Sequence, residues 1–262
     1  MEVRLKPLMN DRETAANRHF RDIVELAKIW DEKPLLRQIY HDFYLLIERW
    51  LSDIVGDLLE IGAGCGGMKS LVPNCIATDL FPSPWVDRCE NVYALSLTDD
   101  SLANLVMVDV FHHLRFPGDA LAECSRVLLK GGRLIIFEPD IGALGLLVYG
   151  LFHHEPLGLR NQIQWHQNRC KQGEELESVY YAAQANANRI FVRHLSASQL
   201  KDWNVLNITR MAAFSYLASG GFRNCQLYPQ TWYAKLKIVD RMLDRFPSLF
   251  STRMLVVLEK KW

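Results

Sequence analysis

The chain has 262 residues, 49% of them hydrophobic; that exceeds one minimal domain of about 100–150 residues, so one domain with additions is expected. Thirty basic residues balance thirty acidic ones, which leaves no whole-chain electrostatic footprint for nucleic acid. Six cysteines (Cys65, Cys75, Cys89, Cys124, Cys170 and Cys225) show neither C-x-x-C nor metal-ligand spacing, and the opening M-E-V-R-L-K-P-L-M lacks a signal peptide's apolar stretch. Reduced core thiols and a cytoplasmic location are the expectation.

Residues 1–30 are mixed and charged, and one helix ending near Trp30 is expected. From Pro34 the pattern sharpens. Leu36, Ile39, Tyr40, Phe43, Ile47, Trp50, Leu51 and Ile54 recur at three- and four-residue steps, an amphipathic helix with proline in its first turn. It is read as a cap on the neighbouring sheet; the alternative is that Tyr40 or Tyr44 overhangs a ligand.

Asp57 to Gly67, D-L-L-E-I-G-A-G-C-G-G, follows. Leu58, Leu59 and Ile61 read as a buried strand, and Gly62, Gly64 and Gly67 fit G-x-G-x-x-G, the strand–turn–helix pattern that receives a nucleotide-like ligand. Glycine there lets the chain turn sharply and lets its backbone approach the ligand. Nineteen residues after Glu60, Asp79 ends a second apolar segment, C-I-A-T-D, where a carboxylate can accept both ribose hydroxyls of an adenosine. Glu60 itself precedes the first glycine. An acid there would crowd a pyrophosphate but suits a ligand with a positive head and no phosphate, such as S-adenosylmethionine.

Pro73 shortens the helix after the loop, and F-P-S-P-W (81–85) forbids a regular one beyond Asp79. Asn91 to Leu97 reads as a third strand and its exit. Leu105 to Val110 is a fourth strand, ending in Asp109 and followed by Phe111, His112, His113 and Leu114. Pro117 to Lys130 is a helix with Gly131 as terminator, and Arg133 to Phe137 a fifth strand leading into Glu138. Residues 141–152 are the most apolar window, too short to span a bilayer, which takes about 20 residues. They are read as core or lid, with an interfacial patch as the alternative. F-H-H-E-P (152–156) places His153, His154 and Glu155 together, but adjacent residues rarely point at one ion, so they are read as substrate-facing groups and no metal is expected. The A-Q-A-N-A-N-R run (183–189) offers amide contacts or a helix cap. Met211 to Ala218 is expected to be a helix, Phe222 to Leu227 a strand, 232–246 a helix and Met254 to Glu259 a closing strand.

L-E-I-G-A-G-C-G, A-T-D, V-D-V-F-H-H-L (108–114) and L-L-K-G-G-R-L-I-I-F-E-P (128–139), in that order, resemble a class I S-adenosylmethionine-dependent methyltransferase. The similarity is to the small-molecule branch with the ubiquinone/menaquinone-type domain, over roughly residues 55 to 140. It implies an α/β, Rossmann-like, doubly wound seven-stranded sheet, mostly parallel, with a C-terminal antiparallel hairpin and a helical lid insert. The implied division is an N-terminal helical cap (1–54), a cofactor-binding core (55–140), a lid and acceptor-recognition insert (141–210) and the rest of the core (211–262). It implies S-adenosyl-L-methionine as cofactor, held by Glu60, Gly62, Ala63, Gly64, Asp79, Leu80, Asn91, Asp109 and Val110. Asn91 stands where such enzymes often carry an acid at the adenine edge, and Leu95-Ser96-Leu97 replaces their L-P-F.

His112 or His113 is the candidate base; the alternative is a histidine bonded only to a neighbouring loop. Glu138, His153, His154 and Glu155 are the candidate substrate contacts, with a structural cap the alternative for Glu138. No Asn/Asp-Pro-Pro-aromatic motif follows the fourth strand, which argues further against a nucleic-acid substrate. W-D-E-K-P-L-L-R-Q-I-Y (30–40), F-H-H-E-P and S-G-G-F (219–222) also resemble less characterised methyltransferase-like proteins associated with surface-polysaccharide and lipid-linked glycan pathways. The expected reaction is methyl transfer to an oxygen or nitrogen of a small molecule, a sugar or lipid-linked acceptor included, with peripheral membrane contact left open and oligomeric state unassigned. The alternatives are an NAD(P)-dependent oxidoreductase and a non-catalytic S-adenosylmethionine-binding module.

Overall fold

A computed structural model describes residues 8–153, 155–167, 181–193 and 198–262, with side chains from residue 16 onward. Seven strands form one sheet: β1 (Asp57–Ile61), β2 (Ile76–Asp79), β3 (Arg88–Cys89), β4 (Leu102–Val108), β5 (Leu128–Pro139), β6 (Trp203–Met211) and β7 (Arg253–Lys260). Their spatial order is β3-β2-β1-β4-β5-β7-β6. The first five run parallel, and β7 lies antiparallel between β5 and β6. This is the expected α/β architecture of a Rossmann-like methyltransferase fold.

The strand order reverses between β1 and β4, so their carboxyl ends diverge and open a crevice there. Every residue of β4 is buried, as a strand covered on both faces requires. Alternate residues feed two cores. Leu59, Leu105, Met107, Leu134 and Ile136 pack with Phe111, Leu121 and Phe191 on one face. Leu58, Val106, Val108, Ile135 and Phe137 pack on the other with Leu36, Tyr40, Tyr44 and Ile47. Those last four belong to α2 (Pro34–Glu48), which follows the long α1 (Leu8–Glu32). The other α-helices among the described residues are α3 (Pro117–Val127), α4 (Ala143–Leu151), α5 (Phe214–Ala218), α6 (Tyr233–Leu243) and α7 (Pro247–Phe250).

Several expected elements lie elsewhere. The third strand is two residues long and precedes Asn91, because Asn91 Oδ1 accepts the Tyr93 N–H at 3.0 Å and bends the chain into a turn. Glu90 holds that turn by accepting bonds from Ser96 N and Oγ. Helix α3 stops at Val127, since Leu128 already pairs with Leu102 of β4; Gly131, at φ +76°, lies within the strand.

The penultimate strand is Trp203–Met211, not Phe222–Leu227, so the segment expected to be insert through residue 210 supplies a sheet strand. The helix expected over 211–218 begins only at Phe214. Residues 222–227 form a loop, with Phe222 stacked against Trp30 at 6.2 Å. As an edge strand, β6 lacks a clean alternation of buried and exposed residues, which is why its period misleads.

The apolar window does form a helix, α4, but only Gly145 and Tyr149 of it are buried, while Leu147, Leu151 and Phe152 stay exposed, which overturns the core reading. Among the described cysteines only Cys75 and Cys124 are buried; Cys89 and Cys225 are exposed, contrary to a core role. No helix among the described residues is long and apolar enough to cross a membrane.

Candidate active site

At the tip of β1 the loop leaves with Gly62 at φ +70° and Gly64 at φ +54°, conformations that L side chains rarely adopt. A Cβ on Gly62 would also drive into Val110 Cγ2, which follows β4. Gly62→Ala is therefore expected to cost about 2 kcal/mol or more, read as a lowered denaturation midpoint. The loop is tied to β2 by Ala63 N–H donating to Thr78 O at 2.8 Å. Asp79 Oδ2 accepts the Gly64 N–H at 3.0 Å, and its Oδ1 the Leu80 N–H at 2.7 Å.

Glu60 is 2% exposed, and its Oε2 has no hydrogen-bond partner. Burial first, and then the Asp79 carboxylate, push its pKa up to about 8. A buried acid with an unanswered oxygen beside a glycine cradle is what a ligand with an ammonium group would satisfy. The residues present therefore fit S-adenosylmethionine.

Helix α1 lies across this crevice. His19 Nε2 stands 3.3 Å from Asp79 Oδ1, Ile23 reaches Gly64, and Trp30 reaches Gly67 together with the Tyr44 hydroxyl. Steps of four and seven residues put all three on one helical stripe. On the floor, Asp109 at φ +58° pairs with Arg253 Nη1 and accepts the Tyr40 hydroxyl at 3.2 Å. Arg253 is buried and sits 4.4 Å over the Tyr216 ring. Asn91 is spent on its turn; Leu80 stands at the rim, partly exposed.

The second group lies just beyond Val110, whose carbonyl accepts the His113 N–H at 2.9 Å and starts a 3-10 turn over Phe111–His113. Glu138 braces this turn. Its carboxylate accepts the Phe111 N–H at 2.6 Å and lies 2.6 Å from His112 Nδ1. With 0% exposure, Glu138 reaches the site only through His112.

His112 Nε2 faces Glu155 Oε2 at 3.4 Å, and His113 Nε2 faces Glu155 Oε1 at 3.7 Å. His113 Nδ1–H donates to Tyr181 O at 3.0 Å, and Gln184 Nε2 donates to Glu155 Oε2. Burial opposes a charge on His112, but Glu138, with Glu155 and Asp109 behind it, outweighs that and raises its pKa to about 10. Burial and the neighbouring His112 hold His113 below its ordinary value.

The histidines after β4 and Glu155 of the insert, read separately in the sequence, thus meet at one point. His153 stands slightly off, its Nδ1 3.9 Å from Glu155 Oε2, and His154 lies outside the described residues. Arg253 and His19 were not anticipated, whereas Gln184 belongs to the A-Q-A-N-A-N-R run read as offering amide contacts. Arg253 alone left a signal: a charge opening the otherwise apolar R-M-L-V-V-L.

Residues 59–136 match the model of a methyltransferase domain. No curated protein sequence matches the chain. An S-adenosylmethionine-dependent methyltransferase from Thermotoga maritima, described as a possible histamine N-methyltransferase, superposes with a TM-score of 0.52 at 16% identity, over 92% of this chain and 99% of that one. A chain from the complex of the Haloferax volcanii Trm112 methyltransferase activator with a methyltransferase gives 0.51 at 13% identity, over 100% of both. A geranyl diphosphate C-methyltransferase from Streptomyces coelicolor, solved with Mg2+ and S-adenosylhomocysteine, gives 0.48 at 10%, over 84% and 76%. The domain match, with the fold it accompanies, supports an S-adenosylmethionine-dependent methyltransferase with that cofactor.

Proposed function

We propose that the chain transfers a methyl group from S-adenosylmethionine to an oxygen or nitrogen of a small molecule, a sugar or lipid-linked acceptor included. The unanswered Glu60 Oε2 beside the Gly62–Gly64 cradle carries this reading. When bound, the cofactor supplies a methyl on a sulfonium; the acceptor's lone pair takes the carbon as the C–S bond breaks and its electrons return to sulfur. Glu60 holds the ammonium, Asp79 the ribose hydroxyls once His19 has withdrawn, and the backbone of Gly62, Ala63, Gly64, Leu80, Asp109 and Val110 lines the crevice. Asn91, turned to its own loop, contributes at most from the rim.

The acceptor sits at the neighbouring corner. His112 is enclosed between Glu138 and Glu155, so His113, a third exposed, is the imidazole that meets it, with His153 and Glu155 beside it. Mostly the chain must align the reactants in a dry site, and alignment can be worth about 7–11 kcal/mol. The exposed apolar face of α4, ending two residues before His153, suits an acceptor with a hydrophobic tail or a membrane-borne one.

Calorimetric titration with S-adenosylhomocysteine, with NADH alongside, tests the class. Binding of the former alone is expected, and NADH binding alone would overturn the reading. Because His19 occupies Asp79, His19→Ala is expected to raise the association rate for S-adenosylhomocysteine severalfold in stopped-flow fluorescence; an unchanged rate would count against α1 as the cover.

A further inference from the structure

We propose that His112, His113 and Glu155 bind a divalent metal ion, zinc by their chemistry, leaving a fourth position open towards the acceptor. One ligand atom from each of the three lies within 4.8 Å of the other two. The Glu155 oxygens stand 3.4 and 3.7 Å from the two Nε2 atoms. Close charge-assisted bonds run nearer to about 2.8 Å, as the 2.6 Å between His112 Nδ1 and Glu138 illustrates. A tetrahedral ion with bonds of about 2.0–2.2 Å separates its ligands by about 3.3–3.6 Å; the 3.4 Å pair meets that spacing, and the 3.7 Å pair, made by the other Glu155 oxygen, needs the three groups to draw slightly inward on the ion.

The outer partners point the same way. Glu138 on one Nδ1 and the Tyr181 carbonyl on the other leave both Nε2 atoms facing Glu155. Ligating histidines are oriented in this manner at known metal centres. Consecutive residues seldom share an ion, but the 3-10 turn sets these rings 4.0 Å apart and tilted by 41°, so both edges reach one point. Gln184 provides an independent sign. It is 1% exposed, its amide nitrogen supports Glu155, and its Oε1 has no hydrogen-bond partner, as though a further positive or donor group belonged beside it. Two imidazoles and one carboxylate with an open position is the donor set of catalytic zinc sites.

Metal binding stands apart from the proposed function; only the task of the open position rests on it. An acceptor hydroxyl taken up there would lose its proton to solvent on binding, since a bound cation stabilises the alkoxide. The imidazoles would then serve as ligands, His112 releasing to solvent on metal binding the proton that Glu138 and Glu155 otherwise hold on it, and no side chain would need to receive the acceptor's proton during transfer.

The test is titration of chelator-stripped full-length protein with Co2+ as a spectroscopic probe and with Zn2+ by calorimetry. One equivalent of Co2+ is expected to give the intense visible absorption of four-coordinate cobalt, displaced by Zn2+. His113→Asn and Glu155→Gln should each weaken binding on the order of a hundredfold, and Glu138→Gln, which only positions His112, on the order of tenfold. S-adenosylhomocysteine titrations on the same samples report folding and the methyltransferase reading separately. Absence of stoichiometric binding by the wild type, a weak six-coordinate cobalt spectrum, or equal affinity in the variants would overturn the metal site even where S-adenosylhomocysteine binds normally.

Discussion

Glu60→Gln is expected to lose about ten- to a hundredfold in affinity for S-adenosylhomocysteine and, at the same time, to become more stable at alkaline pH. The first effect is the loss of a charged partner for the ammonium group, where hydrogen bonds to charged groups are worth about 1.5–3 kcal/mol. The second follows from the position of Glu60. Its pKa stands near 8 in the folded chain against an ordinary 4.5, so the folded chain holds this proton more firmly than the unfolded one.

Stability from that proton is complete below pH 4.5, declines as pH rises towards 8, and is gone above it. The whole loss is on the order of 3–5 kcal/mol. Melting temperatures between pH 5 and 9 should therefore fall more steeply for the wild type than for the variant. An ammonium beside Glu60 also reverses the preference, so cofactor binding near pH 7 should expel up to one proton. Calorimetry in buffers of different ionisation enthalpy measures that release. Unchanged affinity in Glu60→Gln would remove the acid from the site.

Arg253→Leu should be the most destabilising of the substitutions considered, by about 3–5 kcal/mol in denaturant unfolding. The residue opens β7 in the interior, bound to Asp109 and laid over the Tyr216 and Phe137 rings. Leucine keeps part of the packing but removes the Arg253 Nη1 bond and charge, leaving the Asp109 carboxylate with the Tyr40 hydroxyl. The double variant Asp109→Asn/Arg253→Leu is expected to recover a good part of the loss, since asparagine tolerates the positive φ of position 109 and carries no charge to strand. If the double variant is as unstable as the sum of the single ones, the pair contributes nothing as a pair.

The two substitutions touch parts of the site that were unequally visible beforehand. Glu60, the glycines and Asp79 lie within one strand–loop–strand unit, so their arrangement survives in short spacings, and the four ordered motifs made the sheet readable. Arg253 meets Asp109 across 144 positions of chain, and Glu155 meets His112 only because the segment after α4 folds back over β4. Nothing in local spacing records such encounters. Edge strand β6 escaped for another reason: with one side unpaired it needs no strict alternation, and its residues read equally well as insert. The turn at Asn91 depended on a side chain capping its own backbone, a competition that apolar periodicity does not register.

The helix over the glycine loop and the groups over the imidazole corner are different pieces of the molecule, residues 19 to 30 in one case and Glu155 with Tyr181 and Gln184 in the other. Under the proposed assignment, cofactor and acceptor are covered by separate parts of the chain, so a substitution in the N-terminal helix is expected to change inhibition by S-adenosylhomocysteine without changing affinity for the acceptor.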